Sequence, residues 1–91
     1  MIRLEYSEEK TGNKEPNYRL EVDKGKYRHS KSGKLYEVIG LALETETEEF
    51  LVIYRPLYEN EYELFARPAN MFMETVVLDG KSVPRFEKLN N

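Results

Sequence analysis

Residues 52–76 read VIYRPLYENEYELFARPANMFMETV and contain one pattern twice, an apolar run that ends in Arg-Pro. Arg55-Pro56 closes the first run and Arg67-Pro68 closes the second. Proline lacks an N–H and fixes its backbone angle φ, so it interrupts regular strand pairing. We therefore predict strands over residues 50–54 and 62–66, each followed by an arginine at the rim of a β-sheet.

Further strands are predicted on both sides of these two, because apolar and polar residues alternate or form short apolar runs. They cover residues 26–30, 35–43, 73–78 and 83–86. Gly40 predicts a bend, Asp79-Gly80 predicts a two-residue hairpin turn, and residues 69–72 predict a single 3₁₀ turn. Five to six short strands with no long helix predict an all-β fold, a small closed or half-closed barrel over residues 25–89.

Residues 1–24 are predicted to be an N-terminal extension of this barrel. Apolar residues alternate with polar residues from Ile2 to Tyr6 and from Tyr18 to Val22, which predicts a strand or a hairpin. Residues 7–17 contain Gly12 and Pro16 and no large apolar residue, so they predict a mobile loop between the two strands. The alternative is a partly disordered tail.

Composition limits the class of protein. With 91 residues the chain is long enough for one domain, and 40% hydrophobic against 34% charged residues is typical of a globular protein. The absence of cysteine excludes disulfides and thiol catalysis. No segment approaches the roughly 20 apolar residues that span a bilayer, and no leader peptide is recognisable. We predict a cytoplasmic protein with no membrane partner.

A basic segment lies within this acidic chain. Residues 24–34, KGKYRHSKSGK, carry five basic residues, the only histidine and no acid, whereas the net charge of the whole chain is -3. Arginine suits phosphate and carboxylate groups, and aromatic rings suit unpaired nucleic-acid bases. The predicted ligand-binding residues are Tyr27, Arg28, His29, Tyr36, Tyr54, Arg55, Arg67 and Arg85. They predict a binding module for an anionic ligand or nucleic acid; the alternative is that the arginines pair with glutamates such as Glu37, Glu61, Glu63 or Glu74.

Catalysis is not predicted. His29 would need Ser30 or Ser32 beside it as a nucleophile, and successive side chains of a strand point to opposite faces. One histidine without cysteine does not make an ordinary structural zinc site, and the acidic residues 44–49 lack the spacing of a calcium loop. These acids predict a solvated hairpin turn. We predict no catalytic residue, no metal and no cofactor.

Protein interaction is the second class of function that the sequence allows. Met71, Phe72 and Met73 are consecutive, and an alternating strand buries only one of the two parities. An exposed member of this group would provide a contact for a protein partner or for a homodimer.

Four blocks in order, GKYRHSKSGKLYEVIG, LVIYRPLY, ARPANMFMETV and DGKSVPRF, resemble a small bacterial family known only as a domain of unknown function. The resemblance covers residues 25–89 and implies a compact SH3-like barrel, with no implied activity. Ser30 stands where the family tends to have an aromatic residue, and Phe65 stands where it often has tryptophan. If these rings form a surface in relatives, that surface is smaller in this chain.

Overall fold

A computed structural model of the protein describes residues 2–5 and 19–90. These residues form nine strands and one short helix. The elements in chain order are β1 (Ile2–Glu5), β2 (Arg19–Val22), β3 (Gly25–His29), β4 (Leu35–Glu44), β5 (Glu49–Pro56), β6 (Phe65–Pro68), α1 (Ala69–Phe72), β7 (Thr75–Leu78), β8 (Lys81–Pro84) and β9 (Phe86–Lys88). The all-β prediction is confirmed, with seven strands rather than five or six after residue 24.

The main sheet is antiparallel and has the order β6-β5-β4-β3-β9, so β6 and β9 are its edges. It is an open sheet within the described residues, and the closed form of the predicted barrel is not seen. The sheet nevertheless curls strongly, as one contact between its edges shows. The guanidinium of Arg67 on β6 lies 5.3 Å from the ring centre of Phe86 on β9. Two edge strands that are separated by three others in the sheet therefore meet across its concave face.

Both Arg-Pro pairs end strands, as predicted. β5 ends at Pro56 and β6 ends at Pro68, which also precedes the first turn of α1. The prediction of a strand over residues 62–66 is wrong for residues 62–64, because β6 begins only at Phe65. Tyr62 and Leu64 alternate with acids but are exposed and have no strand opposite them, so alternation alone did not indicate pairing.

The turns follow the backbone preferences of their residues. Asp79 and Gly80 both have positive φ, 51° and 77°, as the tight turn between β7 and β8 requires. The pairing of β4 with β5 shifts register between Val38 and Gly40, which is the predicted bend in the longest strand. The acidic turn between β4 and β5 is held by Glu44, whose Oε1 accepts hydrogen bonds from the backbone N–H groups of Glu46 and Thr47.

Two predicted elements differ from the observed ones. Residues 69–72 form one α-helical turn rather than a 3₁₀ turn, since the N–H of Met73 donates to the carbonyl of Ala69 at 3.0 Å. The predicted last strand is divided into β8 and β9 at Arg85. The N–H of Arg85 donates to the carbonyl of Glu74 and its carbonyl accepts from the N–H of Ser30, both at 2.9 Å, so the chain crosses here from the hairpin to the main sheet.

The core lies on the concave face of the sheet, under α1. Alternate residues of the central strands point into it, and α1 closes it with Phe72, which is 2% exposed. The buried apolar residues are Val22, Tyr27, Tyr36, Val38, Val52, Tyr54, Ala69, Phe72 and Phe86. Each fully buried large side chain contributes about 1.5–3 kcal/mol relative to an exposed one.

At the N-terminus, β1 and β2 form a separate two-stranded antiparallel sheet in which Ile2 pairs with Val22. The predicted loop at residues 7–17 lies outside the described residues. Among the described elements, there is no helix with the length and apolar character needed to cross a membrane.

Candidate functional site

Phe86 is the centre of a cluster of aromatic rings on the concave face. The ring of Phe72 stacks on it with a centroid distance of 4.2 Å, and Tyr54 and Tyr36 approach it edge-on at 5.5 and 5.8 Å. His29 makes a fourth ring contact at 4.9 Å, also edge-on. These rings come from β3, β4, β5, α1 and β9, so the cluster fixes the relative positions of five elements.

Arg67 lies on this cluster. Its Nε donates a hydrogen bond to the hydroxyl of Tyr54 at 3.1 Å, and its guanidinium lies over the ring of Phe86. Because Phe72 already covers one face of that ring, Arg67 must lie over the other. Arg67 is half-buried, and no carboxylate among residues 20–90, whose side chains the structure describes, lies at ion-pair distance from it. Its charge is therefore held by aromatic and hydroxyl contacts rather than neutralised by an acid.

The other three predicted arginines are each neutralised by a glutamate. Arg28 pairs with Glu87 at 3.1 Å, Arg55 pairs with Glu37 at 2.9 Å, and Arg85 pairs with Glu74. The four arginines thus do not act as one continuous face. Arg85 still faces the cluster, since its side chain is only 26% exposed and its charge acts on His29. The Nε of Arg85 is buried and has no hydrogen-bond partner among the described residues.

His29 is held in its neutral form. The N–H and the hydroxyl of Ser32 lie 3.2 and 3.0 Å from its Nδ1, so this nitrogen accepts and the proton of the neutral ring lies on Nε2. Burial lowers the pKa of His29 below its ordinary value of 6.5, and the charges of Arg67, Arg85 and Lys31 lower it further. The imidazole therefore marks a region of positive potential formed by residues that are distant in sequence.

The pairing of His29 with Ser32 closes a turn. The hydroxyl of Ser32 also accepts a hydrogen bond from the N–H of Lys34 at 3.1 Å, and the whole arrangement spans the β3–β4 hairpin. No carboxylate of the described chain bonds to His29, which would be needed to orient it as the base of a catalytic triad.

The predicted tyrosines are part of the core. Tyr27, Tyr36 and Tyr54 are 7%, 8% and 3% exposed, so they present no open face on which a nucleic-acid base could stack. The hydroxyl of Tyr36 is hydrogen-bonded to that of Tyr58 at 3.0 Å. Burial raises the pKa of Tyr36 well above its usual range, and this hydrogen bond raises it further. Of these three tyrosines, Tyr54 contacts Arg67, through its hydroxyl.

Sequence reasoning brought together Arg67, Arg85, His29, Tyr36 and Tyr54, which the structure also places around one cluster. It missed Phe86 and Phe72, the two stacked rings on which the arrangement rests. The only signal for Phe86 was its place at the end of the block DGKSVPRF, directly after a proline and an arginine. Arg28 and Arg55 were included in the prediction, and both point into exposed ion pairs.

The methionines around Phe72 form a second exposed feature. Met71 and Met73 are each 43% exposed and Phe72 is buried, but the cause is the helical turn of α1 and not the strand alternation on which the prediction rested. Within the described residues, no group of three or more potential metal-ligating side chains comes together.

A small all-β domain with a cationic aromatic cluster is thus the class that the fold and the site define. The family model for the protein of unknown function DUF1653 matches residues 25–88, and the chain belongs to this family. The resemblance found in the sequence is thereby confirmed. A crystal structure of a protein belonging to DUF1653 from Bordetella bronchiseptica is similar, with 35% sequence identity and a TM-score of 0.69. The similarity covers 75% of this chain and 87% of that chain. Comparison with curated proteins gives no match.

Proposed function

We propose that this domain is a non-catalytic binding module that holds an oxyanion, a phosphate or carboxylate group of its ligand, at Arg67. The observation that carries the proposal is the state of this arginine. It is anchored by Tyr54 and Phe86 and has no acidic partner among residues 20–90, whereas Arg28, Arg55 and Arg85 have one each.

The surroundings favour an anion over a cation or an apolar ligand. Arg67, Arg85 and Lys31 all lower the pKa of His29, and of these Arg67 and Lys31 form no ion pair among residues 20–90, whereas the net charge of the whole chain is -3. A pre-positioned guanidinium loses less side-chain freedom when it binds, and its fork of N–H groups matches two oxygens of one anion. His29, with its proton on Nε2, adds a donor in the same region.

A small oxyanion fits better than a nucleic-acid strand bound by base stacking. The rings that would have to stack are the buried ones of Tyr27, Tyr36 and Tyr54. A strand would therefore be held through a phosphate alone, and this contact does not require a nucleic acid. The domain is proposed to act by recognition rather than by chemistry because His29 lacks an orienting carboxylate in the described chain.

The test is a titration of the full chain with sulfate, inorganic phosphate and acetate at low salt, followed by NMR. Arg67→Gln should weaken binding about tenfold or more, since a charged hydrogen bond contributes about 1.5–3 kcal/mol. Arg55→Gln is the matched control, because it removes the same charge from an exposed ion pair away from the cluster. Equal weakening by both variants, or no binding by the wild-type chain, would disprove the proposal.

A protein-interaction function is the second candidate, supported by the exposure of Met71 in α1 and of Met73 directly after it. Two methionines that are each 43% exposed, one on each side of the buried Phe72 in the sequence, offer an adaptable apolar contact for a partner or a second copy. Sedimentation should then show a dimer that Met71→Ser with Met73→Ser abolishes and Val77→Ser leaves intact. A monomer at all concentrations removes the homodimer from consideration.

A further inference from the structure

An open groove of about 500 Å³ runs along the end of β5 and the irregular segment that follows it. None of the residues that contact Phe86 lines this groove, although Tyr58 of its lining is hydrogen-bonded to Tyr36 of the aromatic cluster. Its lining residues are Ile39, Arg55, Pro56, Tyr58, Asn60, Tyr62, Glu63 and Leu64. A space of this size lies in the range of about 300–1,000 Å³ that is usual for ligand pockets.

The walls of the groove expose apolar surface. Tyr62 is 61% exposed, Leu64 is 52% exposed and Ile39 is 38% exposed. Tyr62 and Leu64 belong to the part of the chain where alternation predicted a strand but no partner strand is present, and Ile39 lies at the bulge of β4. Adjacent exposed apolar side chains around a concave surface are typical of a contact with another molecule.

Glu63 is the acidic residue of the lining, and it belongs to an acidic segment that borders the groove. Residues 57–64, LYENEYEL, contain Glu59, Glu61 and Glu63 and no basic residue. None of these three acids forms an ion pair with a basic residue of the described chain. Arg55, the basic residue of the lining, is already neutralised through two hydrogen bonds to Glu37. An occupant should therefore be cationic.

An aromatic wall of the groove already accepts an ammonium group. Lys34 Nζ lies 4.7 Å from the ring centre of Tyr58, whose hydroxyl is fixed by Tyr36. Tyr62 offers a second ring that is largely open to solvent and has Glu63 next to it in sequence. A ring beside a carboxylate suits the charged end of lysine or arginine, and the apolar walls suit its methylene stem.

We infer that this groove binds an extended peptide segment of a protein partner in which basic side chains alternate with apolar ones. The open shape and the irregular backbone of residues 57–64 leave room for a main chain beside the two tyrosines. The surface is opposite in charge to the oxyanion site, so the inference stands or falls separately from the proposed function.

The probe is a short fluorescein-labelled peptide in which valine and lysine alternate, added to the full chain. Its binding is measured by fluorescence anisotropy, and its position is mapped from the amide NMR shifts of Tyr62, Glu63 and Leu64. Tyr62→Ser and Glu63→Gln should each weaken binding about three- to fivefold, as the loss of an exposed cation–π contact or one ion pair does. Both residues are exposed, so the variants should keep the wild-type fold.

Two matched controls separate the groove from general effects of charge and apolar surface. Glu46→Gln removes one acid from the turn between β4 and β5, and Val77→Ser removes a side chain that is 69% exposed on β7; neither should change the affinity by more than about twofold. A peptide of alternating valine and glutamate should not bind, and one of alternating serine and lysine should bind more weakly.

Several outcomes would overturn the inference. These are equal weakening by Glu46→Gln and Glu63→Gln, NMR shifts confined to Met71 and Met73, and failure of the lysine peptide to bind at low salt. If the amide signals of the groove residues shift when the free protein is diluted, and sedimentation shows a dimer, the groove would instead be assigned to a contact with a second copy of this chain.

Discussion

Replacing Phe86 by leucine should destabilise the domain by about 2–3 kcal/mol, because leucine cannot make the aromatic contacts through which this ring joins its neighbours. Phe86 is 5% exposed and makes four ring contacts, to His29, Tyr36, Tyr54 and Phe72. Each such pair contributes about 0.5–1.5 kcal/mol beyond its buried area, and leucine keeps most of that area. The sum of four pairs, about 2–6 kcal/mol, is an upper limit because the neighbours can repack.

The matched control is Phe65→Leu, the same substitution at a half-buried ring whose aromatic contacts among the described residues are to Tyr36 and Tyr54. It should cost about 1 kcal/mol. A domain of this size is stable by about 5–14 kcal/mol, so both variants should remain folded in water. Urea unfolding followed by tyrosine fluorescence and circular dichroism gives both values if the slope m is unchanged. Losses equal within about 0.5 kcal/mol would refute the central role of Phe86.

Three further predictions concern the turns and the histidine. Gly80→Ala should lower the free energy of unfolding by about 1–2 kcal/mol, measured by thermal unfolding, because φ is 77° at this position. The space around the new Cβ is empty, so no steric clash adds to this cost, and Gly80→Asn should cost less. The pKa of His29 is lower in the folded chain than its ordinary value of 6.5. Its contribution to the free energy of unfolding is therefore complete above about pH 6.5 and declines as the pH falls towards the folded pKa. His29→Asn should flatten this part of the curve of unfolding free energy against pH. The pKa of Glu44 should be below 4.5 by carbon-detected NMR, held down by the backbone and then the hydroxyl of Thr47, and Thr47→Ala should raise it only part of the way.

The sequence was sufficient to predict those features that depend on the backbone preferences of single residues. Pro56 and Pro68 end strands because they cannot continue a ladder, and Asp79-Gly80 adopts the positive φ angles of a hairpin turn. The bulge at Gly40 belongs to the same group. In each case the prediction depended on the residue and its immediate neighbours.

The predictions that needed distant partners were less accurate. Residues 62–64 have the alternation of a strand, but the edge of the sheet offers them no partner, so β6 begins at Phe65. The division of β8 from β9 depends on two hydrogen bonds, in which the N–H of Arg85 donates to Glu74 and the carbonyl of Arg85 accepts from the N–H of Ser30, 55 positions away. Neither partner is evident from the residues around position 85.

The candidate site could be predicted only in part, because it also depends on residues that are distant in sequence. The sequence identified the arginines by type but not which would meet a glutamate, since Arg28 pairs with Glu87 at a separation of 59 residues. Arg67 differs only because the curl of the sheet brings it over Phe86 on the opposite edge. Which arginine stays without an acid among the described residues is therefore a property of the fold.

The most direct test of the oxyanion site is the side-chain Nε–Hε signals of the four arginines during a titration with sulfate at low salt. We expect the Arg67 signal to shift and saturate, with a smaller shift at Arg85, while the signals of Arg28 and Arg55 stay in place. A shift of all four signals in parallel, or none at Arg67 up to high sulfate concentration, would contradict it.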